Sequence, residues 1–217
     1  SNVGVGAYAL CDATTNSQNV AIGTESLKKN TASNNTAVGY ISLRCNTTGA
    51  DNVAMGSCAL DSNITGSSNV AIGYSALTTN TASNNTAVGH LALRYNVGGV
   101  QNTAVGKNAL AANTTANNNS AFGCGALCRN TTAANNVSIG SQTMKLNTTG
   151  ANNTAVGYAA LNVNSTGTQL VAVGCGALAG NTTGGCNTAV GKDAMLANTT
   201  GANNAAVGQA SLDSNTT

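Results

Sequence analysis

The chain has 217 residues, 6% of them charged and 3% aromatic, with an apolar share of 41% and a formal net charge of +2. An apolar share this high with so little charge excludes a disordered chain, and +2 supplies no field for nucleic acid or an acidic membrane surface. No run approaches the roughly 18 apolar residues of a membrane helix, and with so few rings the core is predicted from Ala, Val, Leu and Ile.

One unit recurs along the whole chain, most clearly as NTAVGYAAL at residues 153–161. Glycine marks it at Gly6, Gly23, Gly39, Gly56, Gly73, Gly89, Gly106, Gly123, Gly140, Gly157, Gly174, Gly191 and Gly208, as a structural turn position. The step is 17 residues except at Gly23 to Gly39 and Gly73 to Gly89, where it is 16. A fixed period of this length is the signature of a stacked repeat.

In chain order, the first unit (residues 2–18) diverges most, with Gly4 for the usual Ala and Ala13 for the usual Asn. From Asn19 each unit reads Asn, Val or Thr, Ala, Val or Ile, Gly, then Ala or Ser and Leu after two variable positions. A second Asn opens a turn, commonly Asn-Thr-Thr-Gly as at residues 46–49 and 181–184. The two short units turn through NTASN at residues 30–34 and 80–84, where Asn34 and Asn84 suit a left-handed backbone. Residues 20–44 match residues 70–94 at a separation of 50, which reads as duplication of a three-unit block. Leu170 is the one later unit start that is not Asn; Met55 and Phe122 fill the Val/Ile slot, and Met144 and Met195 the Leu slot. The chain opens at SNVGVG inside a repeat and stops inside a turn, which predicts either a piece of a longer solenoid or copies stacked head to tail.

The segment Val20, Ala21, Ile22 predicts a strand closed by Gly23, with Val20 and Ile22 on one face and Ala21 on the other. A second short strand is predicted through Ser26 and Leu27, with Leu27 inward. No proline interrupts either. Residues 1–217 therefore predict a single all-β domain, a parallel β-solenoid or β-roll of about thirteen coils with two short strands per coil, about 60 Å long. The Val/Ile and Leu columns are expected to form buried ladders, and two columns of Asn to bond along the stack at its corners. The alanine column is uniformly small, so it faces close packing, either on the opposite wall of a thin coil or on identical subunits around an axis.

The pattern NTAVGYxALxxNTTG resembles the head repeats of trimeric autotransporter adhesins and related repeats of phage and viral tail fibres, over essentially the whole chain. The resemblance implies a left-handed parallel β-roll, three chains wound together, display outside the cell or on a virion, and attachment to glycans or a host-surface receptor.

No enzyme is predicted. His90 occupies the post-glycine position that Tyr40, Tyr74 and Tyr158 hold elsewhere, and Asp12, Glu25, Asp51, Asp61, Asp193 and Asp213 are scattered, so no base, nucleophile and orienting group recur together. The glycines precede no helix as a phosphate loop would, and no aspartates stand in register for calcium; neither metal nor cofactor is expected. Cys11, Cys45, Cys58, Cys124, Cys128, Cys175 and Cys186 share no position in the unit; Cys124 and Cys128, flanking one corner, are the one candidate bridge. Lys28, Arg44, Arg94 and Lys145 follow the Leu slot, a sparse basic column read as solubilising. Asn-x-Ser/Thr sequons recur, and those at Asn34, Asn46, Asn63, Asn84, Asn113, Asn118, Asn130, Asn147, Asn152, Asn164, Asn181, Asn198 and Asn215 are candidate glycosylation sites. Most lie at the turn, where a glycan is expected to meet solvent.

Three functions compete at this stage. The first is a structural protomer of an extracellular filament stacking end to end; the second is a trimeric adhesin head or tail-fibre shaft. The third is an ice-binding solenoid, which needs a flat external face of stacked threonine; Thr36, Thr86, Thr103, Thr154 and Thr188 share a column with valines, which instead suggests partial burial. Self-association is the expected partnership, without nucleic acid or membrane insertion.

Overall fold

A computed structural model describes residues 1–13 and 16–217. Among these residues there are thirteen strands of three residues each, from β1 (Val3–Val5) and β2 (Val20–Ile22) to β12 (Thr188–Val190) and β13 (Ala205–Val207). All are parallel, joined in chain order into one sheet. The register places each unit on its counterpart, as in Ala37 opposite Ala54 and Ala54 opposite Ala71. The chain is a β-solenoid, one strand per coil. No helix among the described residues is long and apolar enough to cross a membrane.

The two faces of the strand are the reverse of the hydrophobicity-based expectation. Ala21 is fully buried between half-buried Val20 and exposed Ile22, and from β2 to β13 the middle residue is buried while its two neighbours are half-buried or exposed. The Val/Ile column is therefore not the buried ladder. The alanines face the opposite wall, where Ala160 and Leu161 close the core against Ala155. Two small residues and one large one fill each layer, because the coil is too thin for two branched side chains to meet across it.

That opposite wall is not the second strand. Residues 24–29 form turns, and Glu25 and Leu27 both have left-handed backbones at φ 58° and 49°. Ala159 and Leu161 repeat this at 54° and 53°; Gly125 and Gly176 stand at the first of the two positions. Leu161 N–H donates to Ala177 of the next coil at 2.9 Å, and Ala159 N–H to Ser141 of the previous one at 3.0 Å. The alternation lets a strandless wall bond in both directions. A left-handed leucine costs about 1–2 kcal/mol, which burial of its whole side chain, worth about 1.5–3 kcal/mol, offsets.

Polar substitutions in the core arrive in satisfied sets. Where Ser138 replaces the strand alanine, its hydroxyl donates to the carbonyl of Thr143, whose own hydroxyl donates to Gly157 at 2.7 Å. Ser26 donates to the Ala37 carbonyl and lies 3.3 Å from the Ser42 hydroxyl.

The strand-closing glycines have φ between 120° and 141°, where L side chains are strained, and they stack on one another. A Cβ on Gly106 would stand 2.5 Å from the Gly123 carbonyl oxygen. The turn glycines differ in backbone rather than in space: a Cβ on Gly150 would press even closer on the Gly167 carbonyl oxygen, but Gly150 lacks the left-handed φ, and Ala116 and Ala133 occupy the same place in their coils. Gly106→Ala is accordingly expected to lower the urea-unfolding stability by at least the 1–3 kcal/mol typical of such backbone strain. Gly150→Ala, which meets close packing without the left-handed backbone, should shift the midpoint less; equal shifts would mean that the φ of the glycine column carries no special constraint.

Candidate interaction surface

Two asparagine columns frame each coil. In the first, Asn153 accepts through Oδ1 from the backbone N–H of Leu170 at 3.0 Å, while its Nδ2 donates to the Gly167 carbonyl at 2.9 Å. In the second, Asn164 donates through Nδ2 to Asn147 Oδ1 at 2.8 Å and to that same Gly167 carbonyl at 3.0 Å. Both amides thus meet on one turn oxygen. The first column is interrupted at Leu170, which has no amide to offer the Asn187 N–H. The second is interrupted where a short coil follows a long one: Asn80 donates to Ala82, and the buried Asn63 Oδ1 accepts nothing.

This arrangement corrects the view of the sequons as solvent-facing turns. Asn46, Asn63, Asn113, Asn130, Asn147, Asn164, Asn181 and Asn198 are fully buried, each with Nδ2 donating both to the asparagine below and to a turn carbonyl. Asn215 donates to Asn198. Only Asn34, Asn84, Asn118 and Asn152 are exposed, on a separate corner where the backbone is left-handed at φ 59–63°. That conformation is not a device of the short turns alone, since Gln18, Asp51 and Ser68 share it.

The outward face of the sheet runs as an extended surface along the stack. Each strand turns its first and third side chains to it. The third column is Val, Ile, Met or Phe throughout, with Ile22 41%, Met55 43%, Phe122 39% and Ile139 43% exposed. The first column mixes Val, Thr, Ser and Ala, mostly half-buried. None of the thirteen described strands carries a charge. Thr36, Thr86, Thr103, Thr154 and Thr188 stand in this first column, facing outward though half-buried. Valines interrupt them, and Met55 and Phe122 roughen the neighbouring column, so no regular hydroxyl lattice is presented.

The remaining candidates lie elsewhere and do not converge. Tyr40, Tyr74, His90 and Tyr158 are exposed after their glycines, with the Tyr74 and His90 rings stacked at 5.4 Å. The basic column is partly neutralised: Lys28 Nζ lies 2.9 Å from Glu25, and Arg44 bridges Glu25 and Asp61. Arg44 Nη2 donates to Asp61 Oδ2 at 3.2 Å; its Nε is 3.0 Å from Oδ1 without hydrogen-bond alignment. All seven cysteines, Cys124 and Cys128 included, are free thiols. Among the described residues no three metal-ligating side chains gather, and no pocket is present.

No family model matches the chain, and comparisons with curated proteins and with solved structures find no match.

Two outcomes follow from these contacts. Asn136→Ala removes the acceptor of the Asn153 N–H, and a buried donor left alone costs about 1–3 kcal/mol; faster hydrogen exchange at Asn153 and a lower urea midpoint are expected, and unchanged exchange would show the column to be passive. Burial pushes the Asp61 carboxyl above its ordinary value, against the pull of Arg44. A raised carboxyl holds its proton more tightly when folded, so its contribution to stability is full below the ordinary carboxylate range and lost as pH rises through the folded value. The stability of wild type relative to Asp61→Asn should therefore grow as pH falls from about 7 to about 4.

Proposed function

We propose that the chain is a structural protomer of an extracellular fibre, joined to further copies of itself through the outward face of its sheet. The observation that carries this reading is the uncharged, apolar column running unbroken along all thirteen strands. Contiguous apolar surface of this kind marks an association site. Another copy is the occupant that matches it in length and in lack of charge. Thirteen rungs about 4.8 Å apart and a strand about 10 Å long give about 600 Å² per partner. Pairing then buries about 1,200 Å², the lower end of specific interfaces. The similarity of the repeat to trimeric adhesin heads favours three copies around an axis.

A second mode of assembly, end-on stacking, draws support from the coil-to-coil bonding. It repeats along most of the stack, so a coil offered by another copy would meet donors and acceptors of the same kind. Such a contact does not close on itself and yields a filament. Cryo-electron microscopy of undenatured material separates the two: discrete rods of multi-chain cross-section for lateral assembly alone, continuous fibres where end-on stacking operates.

Ile72→Lys combined with Ile139→Lys places two charges on exposed positions of this face, four coils apart, without entering the core. Light scattering should give an oligomer for wild type and about the 21.1 kDa monomer for the folded double variant. Wild type at the monomer mass at tens of micromolar would sink the lateral reading.

A further inference from the structure

The chain holds fourteen sequons, Asn136-Val137-Ser138 among them, chemically alike but sharply different in burial. We propose that, in the folded protein, N-linked glycan is carried at Asn34, Asn84, Asn118 and Asn152 and at no other sequon. Transfer to an asparagine joins its Nδ2 to the anomeric carbon of a lipid-pyrophosphate-linked sugar. The C–O bond to pyrophosphate breaks, the lipid pyrophosphate leaves with the electron pair, and one amide proton passes to solvent.

The product has one N–H where there were two. In the eight buried sequon asparagines of the second column both hydrogens are engaged, one on the neighbouring asparagine and one on a turn carbonyl, as Asn164 illustrates. A sugar on Nδ2 there displaces one of those bonds and requires a volume the coil does not have, since Asn164 is fully buried. Asn215 adds its amide to the same column through Asn198, and Asn136, in the first column, is fully buried with its Nδ2 donating to the Gly150 carbonyl at 3.0 Å.

The four corner asparagines are free of this constraint. All are exposed, on one corner just before the strand. Asn34 Nδ2 donates to Asp51 at 3.1 Å on the exposed surface, a bond water can replace; Asn152 only accepts, from Asn135. Their sequon hydroxyls, on Thr36, Thr86, Ser120 and Thr154, begin four of the strands. The sites are separated by three, two and two coils, about 14, 10 and 10 Å, so adjacent sugars clear one another. Glycans there would line one edge of the apolar face and leave its centre bare. The proposal does not depend on the fibre reading, because it rests on amide geometry alone.

The column at those hydroxyls supplies the test. Valine stands there naturally at Val20, Val53, Val70 and Val137, so Thr36→Val, Thr86→Val, Ser120→Val and Thr154→Val abolish the four sequons with a residue the sheet already accepts. Wild type and the quadruple variant are secreted through an N-glycosylating pathway, and the folded fraction is mapped by glycopeptide mass spectrometry. The transferase meets the chain extended, so buried-column sequons are offered too; a chain modified there cannot close its column and belongs in the misfolded fraction. The expected result is glycan at the four corner sites of wild type, and complete loss of glycan mass in a variant with unchanged circular dichroism. Glycan on any other sequon in folded material, Asn136 and Asn215 included, or bare polypeptide at all fourteen sites, overturns the proposal. The oligomer mass of the bare variant reports separately on the fibre reading.

Discussion

Two amides converge on one carbonyl in most coils, and the architecture depends on it. A unit with one three-residue strand and a core of two alanines and a leucine buries too little to stand alone. The turn oxygen that accepts from both asparagines ties the start of the strand to the far corner. The remaining amide atoms carry the same tie to the coils on either side. Asparagine suits the task because its side chain is both donor and acceptor, as a peptide group is. The cost of leaving such groups unpaired in a dry interior makes the register rigid, since a slip of one residue would orphan a row of them.

From that register the other features follow. Strand-closing glycines must stack because each lies against the carbonyl of the next. The strandless wall must alternate its donors up and down, which calls for left-handed residues, and leucine supplies them because its burial outweighs the strain. Side chains with no place in so thin a coil are turned outward, and these include the branched apolar residues of the strand. The apolar outer face is thus a by-product of the narrow interior, and it is the feature on which the proposed assembly acts.

The period, the number of coils and the parallel stacking were legible because they need only spacing and composition. The orientation of the strand was not. Choosing between Val20 and Ala21 for the interior by hydrophobicity favours valine, whereas the interior is set by the width of the coil. The left-handed leucines left a trace only at Gly125 and Gly176, two glycines in an otherwise varied position. The sequons misled for a related reason: Asn-Thr-Thr-Gly has the composition of an exposed turn, and nothing in it says that the asparagine folds back under its own glycine. The interruption at Leu170, by contrast, was visible as a missing Asn, and its consequence for the Asn187 N–H needed only the bonding pattern.

Because most coils meet their neighbours through the same bonds, removing or adding one such unit leaves no donor without an acceptor. The length of the rod is therefore a quantity that can change in single steps of about 4.8 Å at almost no energetic cost per step. The close match of residues 20–44 and 70–94, set three coils apart, is the trace that such a change leaves in a gene, short turn included. Selection on a molecule of this kind can act on reach, lengthening or shortening it by recombination between units, while the chemistry of each coil stays as it was.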